Sequence, residues 1–406
     1  MSDTTYSPGT PPPDAITRSD ISSSSDTMRA CVLYGVARME IRDVPRPEPG
    51  PLDVLVKVRA VGICGTDFHI VAGHANYNTD PSGTPIGLDV KPQILGHEIA
   101  GVIEEAGCNV KDLRPGDRVV VDQGLNCHSA QSPACCEYCA SGNSHQCEYY
   151  RELGITGLPG GLADYVSVPA VNAVRIDSDL DMAEAALTEP LGCIVHSSGM
   201  AARTRSRYQI GGRDESRVRA VFIAGAGPAG LLFTQYLRNV LGYDGLLLVS
   251  EPNPLKRQLA SDFGADTIDP NEVNPIEAVR DLTNGRGVAY LIEASGSGGI
   301  FTLIPGMIRK QALVLLYGHG NTGLDLSVIN GILFREPSFV ASVGASGSFT
   351  AEGRPTTYIQ ALKLIEEGRI KVSRFITHRY RSIESVPAAF SGDHLTPDYV
   401  KGVAVL

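Results

Sequence analysis

The stretch from Val218 to Glu251 constrains the fold of this chain more than any other. An apolar, β-branched run, Val218–Ala224, leads directly into Gly225-Ala226-Gly227-Pro228-Ala229-Gly230, and a helix-length amphipathic segment, Ala229–Val240, follows. With this spacing the first glycine allows a tight turn. The second lets backbone approach a pyrophosphate, and the third lets helix and strand pack closely. The new helix offers free N–H groups and its positive dipole end to phosphate. The next apparent strand ends at Glu251, 21 residues beyond Gly230. A carboxylate there can accept hydrogen bonds from both ribose hydroxyls and repels a 2′-phosphate. Gly225, Gly227, Pro228, Ala229, Gly230 and Glu251 are therefore expected to bind NAD. Lys256 is a further expected contact. It and Arg257 could meet a 2′-phosphate if the loop bent that way, which keeps NADP as the lesser alternative.

Around this fingerprint the texture of the chain changes twice. From Met28 to about Gly192, short β-branched runs (Met28–Leu33, Leu52–Val61, Ile99–Glu104, Arg118–Val121) are separated by Gly/Pro turns, which predicts a mostly β region. From Cys193 to Ala345, apolar runs (Ala220–Ala224, Gly245–Ser250, Val288–Ala294, Ala312–Tyr317) alternate with helical stretches (Pro254–Phe263, Pro275–Thr283). That alternation implies a parallel sheet of βαβ units. Past Ser346 a helix (Thr356–Glu367) and short strands return, and 346–406 is expected to close the β domain. A chain of 406 residues exceeds one ordinary core, so two domains are natural. Residues 1–27, rich in Ser, Thr, Pro and Asp, read as a disordered tail.

Charge and cysteine usage narrow the partners. The net charge is 35 − 45 = −10 without a basic cluster, which argues against nucleic acid. No run of about 18 apolar residues offers a membrane span, and no export signal precedes the fold. A cytoplasmic location is expected, where clustered cysteines serve metals more often than disulfides. Five of the nine cysteines lie between Cys127 and Cys147. Cys136-x2-Cys139-x7-Cys147 has zinc-site spacing, with Cys127 the expected fourth thiolate and adjacent Cys135 its competitor. A second ligand set, Cys64, His97, Glu98 and Glu189, is dispersed, and spacing alone says little about it. Cys31, Cys108, Cys193 and His196 are read as structural.

Taken in order, Gly62-Ile63-Cys64-Gly65-Thr66-Asp67, Gly96-His97-Glu98, the Arg114-Pro115-Gly116-Asp117 turn, the cysteine loop, Glu189-Pro190-Leu191, the glycine fingerprint and Glu293-Ala294-Ser295-Gly296 resemble the zinc-containing medium-chain dehydrogenase family, whose members include alcohol, sorbitol, threonine and glucose dehydrogenases. The resemblance covers nearly all of the chain from Met28. It implies a GroES-like, mostly-β catalytic domain (28–192, completed by 346–406) around a Rossmann domain (193–345), with the site in the cleft between them. It further implies a catalytic zinc on Cys64, His97, Glu98 and Glu189, and a structural zinc on Cys127, Cys136, Cys139 and Cys147. Thr66 and His69 match the proton-relay positions, and Asp67 is expected to be structural. The sequence departs from the family pattern in three places: an insertion between His74 and Lys91 bordering the substrate cleft, the break between Cys127 and Cys136, and an extended Arg203–Arg217.

The resemblance implies hydride transfer between a secondary alcohol and NAD. A polyol or sugar is expected, because Glu189 stands where alcohol-type members carry cysteine. A threonine-type amino-alcohol is the alternative substrate. A homodimer or homotetramer through the Rossmann sheet edge is implied. Two rival classes are a non-catalytic dinucleotide-binding protein of the same fold and a simple structural zinc protein. The intact ligand set opposes the first, and the fingerprint with Glu251 opposes the second.

Overall fold

The computed structural model describes residues 26–323 and 327–406. Strands Ala220–Ala224, Leu246–Ser250, Asp266–Ile268, Val288–Glu293, Ile308–Leu316 and Ser338–Ala341 form one parallel sheet. Numbered along the chain, they lie side by side in the order 3-2-1-4-5-6. The order reverses beside the first strand, so a ligand crevice opens there, outside the carboxyl ends of the strands. Ala224 pairs with both Ser250 and Glu293, which puts the glycine turn at the centre of that crevice.

These strands read as unbroken apolar runs because both faces of the sheet are covered. Val221 and Ile223 pack into one cluster, and Ala220, Phe222 and Ala224 into another on the opposite face. Full burial of side chains such as Phe222, Leu247, Leu291 and Val314 contributes roughly 1.5–3 kcal/mol each. The helix after the glycines runs from Pro228 to Gln235 and continues as a π-helical turn through Val240.

The remaining chain is mostly antiparallel β. Asp53–Gly62 pairs with Glu98–Ala106 on one side and with Lys401–Val405 on the other, and Arg118–Val121 and Ile376–Tyr380 extend the sheet. The C-terminal residues thus share a sheet with the strand that leads to Cys64. A smaller sheet joins Thr27–Gly35, Arg38–Pro45 and Gln93–Ile94. Two expected boundaries differ from the observed elements. Thr27 already belongs to the first strand, while residues 1–25 of the expected tail lie outside the described residues. The division at 192/193 falls inside a continuous helix, Thr188–Arg203, which packs against helix Thr356–Glu366. Among the described residues no helix is long and apolar enough to cross a membrane.

Candidate active site

Strand Asp53–Gly62 ends just before Cys64, which caps the short helix Gly65–Val71. Asp67 fixes the local geometry. Its Oδ2 accepts from the Cys64 amide at 2.9 Å and its Oδ1 from the Gly96 amide at 3.3 Å, so one fully buried carboxylate ties two loops together. Cys64, His97 and Glu98 consequently offer ligand atoms that all lie within 4.8 Å of one another. Glu98 Oε2 is buried without a hydrogen-bond partner, and His97 Nδ1 meets only the Asp67 carboxylate, at 3.5 Å. Buried polar atoms without partners are costly, and a thiolate, an imidazole and a carboxylate converging in this way suit zinc with one position open. The donor set therefore fits the metal.

Glu98 is held from behind by a residue that sequence reasoning missed. Lys401 Nζ stands 2.6 Å from Glu98 Oε1 and 2.8 Å from the Ile63 carbonyl, with both side chains buried. Burial pulls the Lys401 ammonium down, but the charges of Glu98 and Cys64 outweigh it and hold its pKa above the usual value. Gly62 leaves room for the carboxylate, since a Cβ there would fall 1.8 Å from Glu98 Oε2.

Glu189 lies outside the three-residue cluster. Its Oε1 accepts from Gln123 Nε2 at 3.0 Å and from Cys193 Sγ at 3.2 Å, and the Tyr358 hydroxyl in turn hydrogen-bonds Gln123. Cys193, read from sequence as merely structural, thus touches a candidate site carboxylate. Burial, with the Glu98 charge adding to it, pushes the Glu189 carboxyl up to about 7 despite opposing His97.

Thr66 and His69 sit three residues apart on helix Gly65–Val71, hence on neighbouring turns of one face. Thr66 Oγ1 is 3.8 Å from Cys64 Sγ. His69 is half-buried. Burial first, and then the nearby His319 and His74, lower its pKa below the ordinary imidazole value.

In the cysteine lobe, Cys127, Cys136, Cys139 and Cys147 bring four sulfurs within 4.8 Å of one another. Cys127 Sγ lies 3.6 Å from Cys147 Sγ and accepts from the Cys136 amide at 3.4 Å. Cys135 turns away toward His128 Nε2, at 3.9 Å. The set fits a closed four-thiolate zinc site. His145, inside the lobe, reaches Asp122 Oδ1 at 3.3 Å beside Gln123, and so links the lobe to the neighbourhood of Glu189.

At the glycine turn, Gly225 has φ +94°, open to glycine but strained for other residues. A Cβ on Gly230 would lie 2.0 Å from the Gly225 carbonyl, whereas one on Gly227 would meet nothing, which leaves that side open to a ligand. Glu251 accepts from the Ala226 amide at 2.8 Å and the Asn253 amide at 2.9 Å. Arg257 is committed elsewhere, to Asp269 at 2.8 Å and to the carbonyls of Glu251 and Pro252. The Lys256 amide caps onto Asn253, and its side chain makes no hydrogen bond or ion pair among the described residues.

A dinucleotide-type glycine turn and a cluster of zinc-type donors in one chain point to a metal-dependent dehydrogenase, and comparison with known proteins agrees. Residues 50–178 match the alcohol dehydrogenase GroES-like domain, and residues 228–367 match the zinc-binding dehydrogenase domain. The L-threonine 3-dehydrogenase of Thermococcus kodakarensis is 32% identical over 371 residues, 89% of this chain and 93% of the relative. The sorbitol dehydrogenase of Bombyx mori is 29% identical over 89% of this chain and 95% of the relative. A zinc-binding dehydrogenase from Sinorhizobium meliloti, solved with NADP bound, superposes with a TM-score of 0.76 at 30% identity, covering 94% of this chain and 100% of its own. The chain belongs to the zinc-containing medium-chain alcohol/polyol dehydrogenase family. It is a zinc-dependent, nicotinamide-linked oxidoreductase with a GroES-like domain and a Rossmann domain.

Proposed function

We propose that this enzyme oxidises a secondary alcohol, a polyol or sugar in preference, with NAD as acceptor. The observation that carries the reading is the Cys64–His97–Glu98 cluster with its unpartnered buried Glu98 oxygen, beside the Thr66–His69 face. When bound, zinc supplies a Lewis acid for the substrate hydroxyl and the dinucleotide a hydride acceptor. The chain's own residues do the rest. Asp67 and Lys401 hold the ligands in place. Thr66 Oγ1 accepts a hydrogen bond from the substrate hydroxyl and gives up its own proton as it takes the substrate's; His69, whose pKa burial lowers, is the imidazole that takes up the released proton and exchanges it with solvent. Glu189 supplies a buried carboxyl facing the cluster.

Glu251 favours NAD, and the engagement of Arg257 with Asp269 supports that preference. The catalytic unit begins with the strand that opens at Thr27 and is completed by 346–406, the dinucleotide unit ends at 345, and helix Thr188–Arg203 runs across the expected 192/193 division and joins them. Exposed Ile329, Leu333, Phe334, Phe339 and Val343 lie on or beside the edge strand Ser338–Ala341, which supports a homodimer or homotetramer through that edge. A cytoplasmic location accords with the cluster of free thiols. A second reading, a threonine-type amino-alcohol substrate, is favoured by the slightly higher identity to threonine dehydrogenases.

The deciding experiment is NAD and NADP reduction across polyols, sugars and threonine, with zinc counted per subunit. NAD-linked turnover of a polyol or sugar supports the proposal, and turnover of threonine alone overturns it in favour of the second reading. Exchange of His97 for alanine should abolish turnover and remove one zinc while dinucleotide binding persists. Full activity in that variant would sink the metal assignment.

A further inference from the structure

The insertion between His74 and Lys91 is a built element. Asp80 Oδ1 accepts from the amides of Ser82 and Thr84, at 2.8 and 3.0 Å, and from the Ser82 hydroxyl at 2.6 Å. Asn76 Nδ2 donates to the Ile86 carbonyl at 2.8 Å, and Asn78 is buried under Gly157, where a Cβ would come 2.1 Å from Asn78 Oδ1. Anchored in this way, the insertion carries Tyr77 across the cleft. Tyr77 Oη lies 2.7 Å from His319 Nε2, a contact between residues 242 apart in sequence.

His319 belongs to the turn after Ile308–Leu316, at the carboxyl end of a parallel strand, the side on which such sheets bind their ligands. The same turn packs on the candidate relay. A Cβ at Gly320 would fall 3.1 Å from His69 Cε1, and the His69 and His319 rings stand 6.1 Å apart, nearly perpendicular. Tyr77 is half-buried, and burial first, then the charges of Glu152 and Cys64, raise its hydroxyl pKa. The Tyr77–His319 pair thus borders His69, on the short helix that Cys64 caps.

We infer that Tyr77 is a specificity-determining residue that accepts a hydrogen bond from a second hydroxyl of the substrate, with His319 the positioning residue that orients it. In the tautomer that leaves His319 Nε2 unprotonated, the Tyr77 hydroxyl donates to it and its oxygen keeps acceptor capacity for the cleft. A plain alkanol leaves that half-buried acceptor unmatched, and a site built to hydrogen-bond a substrate hydroxyl discriminates strongly against an analogue lacking it. This inference rests on the polyol reading above and names the residues that would enforce it.

The test uses a matched pair, 2,3-butanediol and 2-butanol, which share a carbon skeleton and differ by one hydroxyl. Wild-type enzyme should favour the diol. Tyr77→Phe should lower kcat/KM for the diol at least about tenfold more than for 2-butanol, mainly through KM, with zinc content and NADH binding unchanged. His319→Ala should reproduce that split, and His319→Gln, which still offers an acceptor to the tyrosine, should restore most of it. Equal losses on both substrates, or no loss on either, would overturn the inference. So would wild-type enzyme that oxidises both alcohols equally well, which leaves the proposed secondary-alcohol function standing. Wild-type enzyme that oxidises neither also overturns the inference, and turnover across the polyol and sugar panel above decides the proposed function separately.

Discussion

Replacing Lys401 with methionine isolates the ion pair behind the candidate metal-binding cluster. Nζ and Glu98 Oε1 stand 2.6 Å apart, with the two side chains only 3% and 0% exposed. At that separation the attraction is on the order of 6 kcal/mol for an effective dielectric constant of about 20, and much of it offsets the desolvation of the two ions. Deleting the lysine removes the attraction but leaves Glu98 desolvated, with Oε2 already lacking a partner. The expected loss of stability is about 3–5 kcal/mol. Combining Lys401→Met with Glu98→Gln removes both charges and should recover most of that loss. Zinc alters the balance, because a cation among Cys64, His97 and Glu98 supplies positive charge that the mutation took away. The loss should therefore be larger in metal-free protein than in zinc-loaded protein. Urea unfolding of wild type, both single variants and the double variant, with and without zinc, measures each quantity. A loss below about 1 kcal/mol in metal-free Lys401→Met, or a double variant no more stable than Lys401→Met, would refute the reasoning.

Cys136→Ser should lower zinc from about two to about one per subunit and depress the unfolding temperature, because a closed thiolate site contributes folding energy directly; elemental analysis with calorimetry checks this, and unchanged zinc rules out the four-thiolate assignment. Glu251→Gln keeps an acceptor for the Ala226 amide but removes the charge, so the NAD-over-NADP preference in kcat/KM should fall about tenfold, or ~1.4 kcal/mol; an unaltered ratio removes Glu251 from cofactor selection. His69 must be neutral to accept a proton, and burial with His319 and His74 lowers its pKa. The acid limb of alcohol oxidation should therefore lie below pH ~6.5, and His69→Gln should cost on the order of 10²-fold at neutral pH and abolish that limb. An acid limb above the ordinary imidazole value, or one unmoved in the variant, contradicts the relay.

The readable parts of the sequence were those where one local constraint leaves one solution. Ala220–Ala224 and Val288–Glu293 announce themselves because both faces of the sheet bury them, and Gly230 because only a missing Cβ clears the Gly225 carbonyl. Arg38–Pro45 was not picked out as a strand, since its side chains are exposed or half-buried and include four charges that blur any apolar face. Cys127 is the expected fourth thiolate with Cys135 its competitor, and the structure gathers the sulfurs of Cys127, Cys136, Cys139 and Cys147 within 4.8 Å while Cys135 faces His128 Nε2. The residues missed altogether share one property, in that each acts across a long stretch of chain. Gln123 meets Glu189 over 66 residues, Tyr77 meets His319 over 242, and Lys401 meets Glu98 over 303. No periodicity records such pairs.

Even so, the C-terminus carried a signal. Val400-Lys401-Gly402-Val403-Ala404-Val405 is an apolar strand with a single charge, and a charge that must be buried requires a partner. That rule names Lys401 as a residue with an unseen acid, and only the sheet pairing of Val403 with Gly62 identifies the acid as Glu98, since Gly62 also pairs with Glu98. Physical reading of a sequence therefore goes further when it asks which buried charges and missing side chains still need an explanation. In this chain Lys401, Gly62 and Glu98 answer one another, and together they place a carboxylate oxygen beside Cys64 and His97, the other candidate ligands.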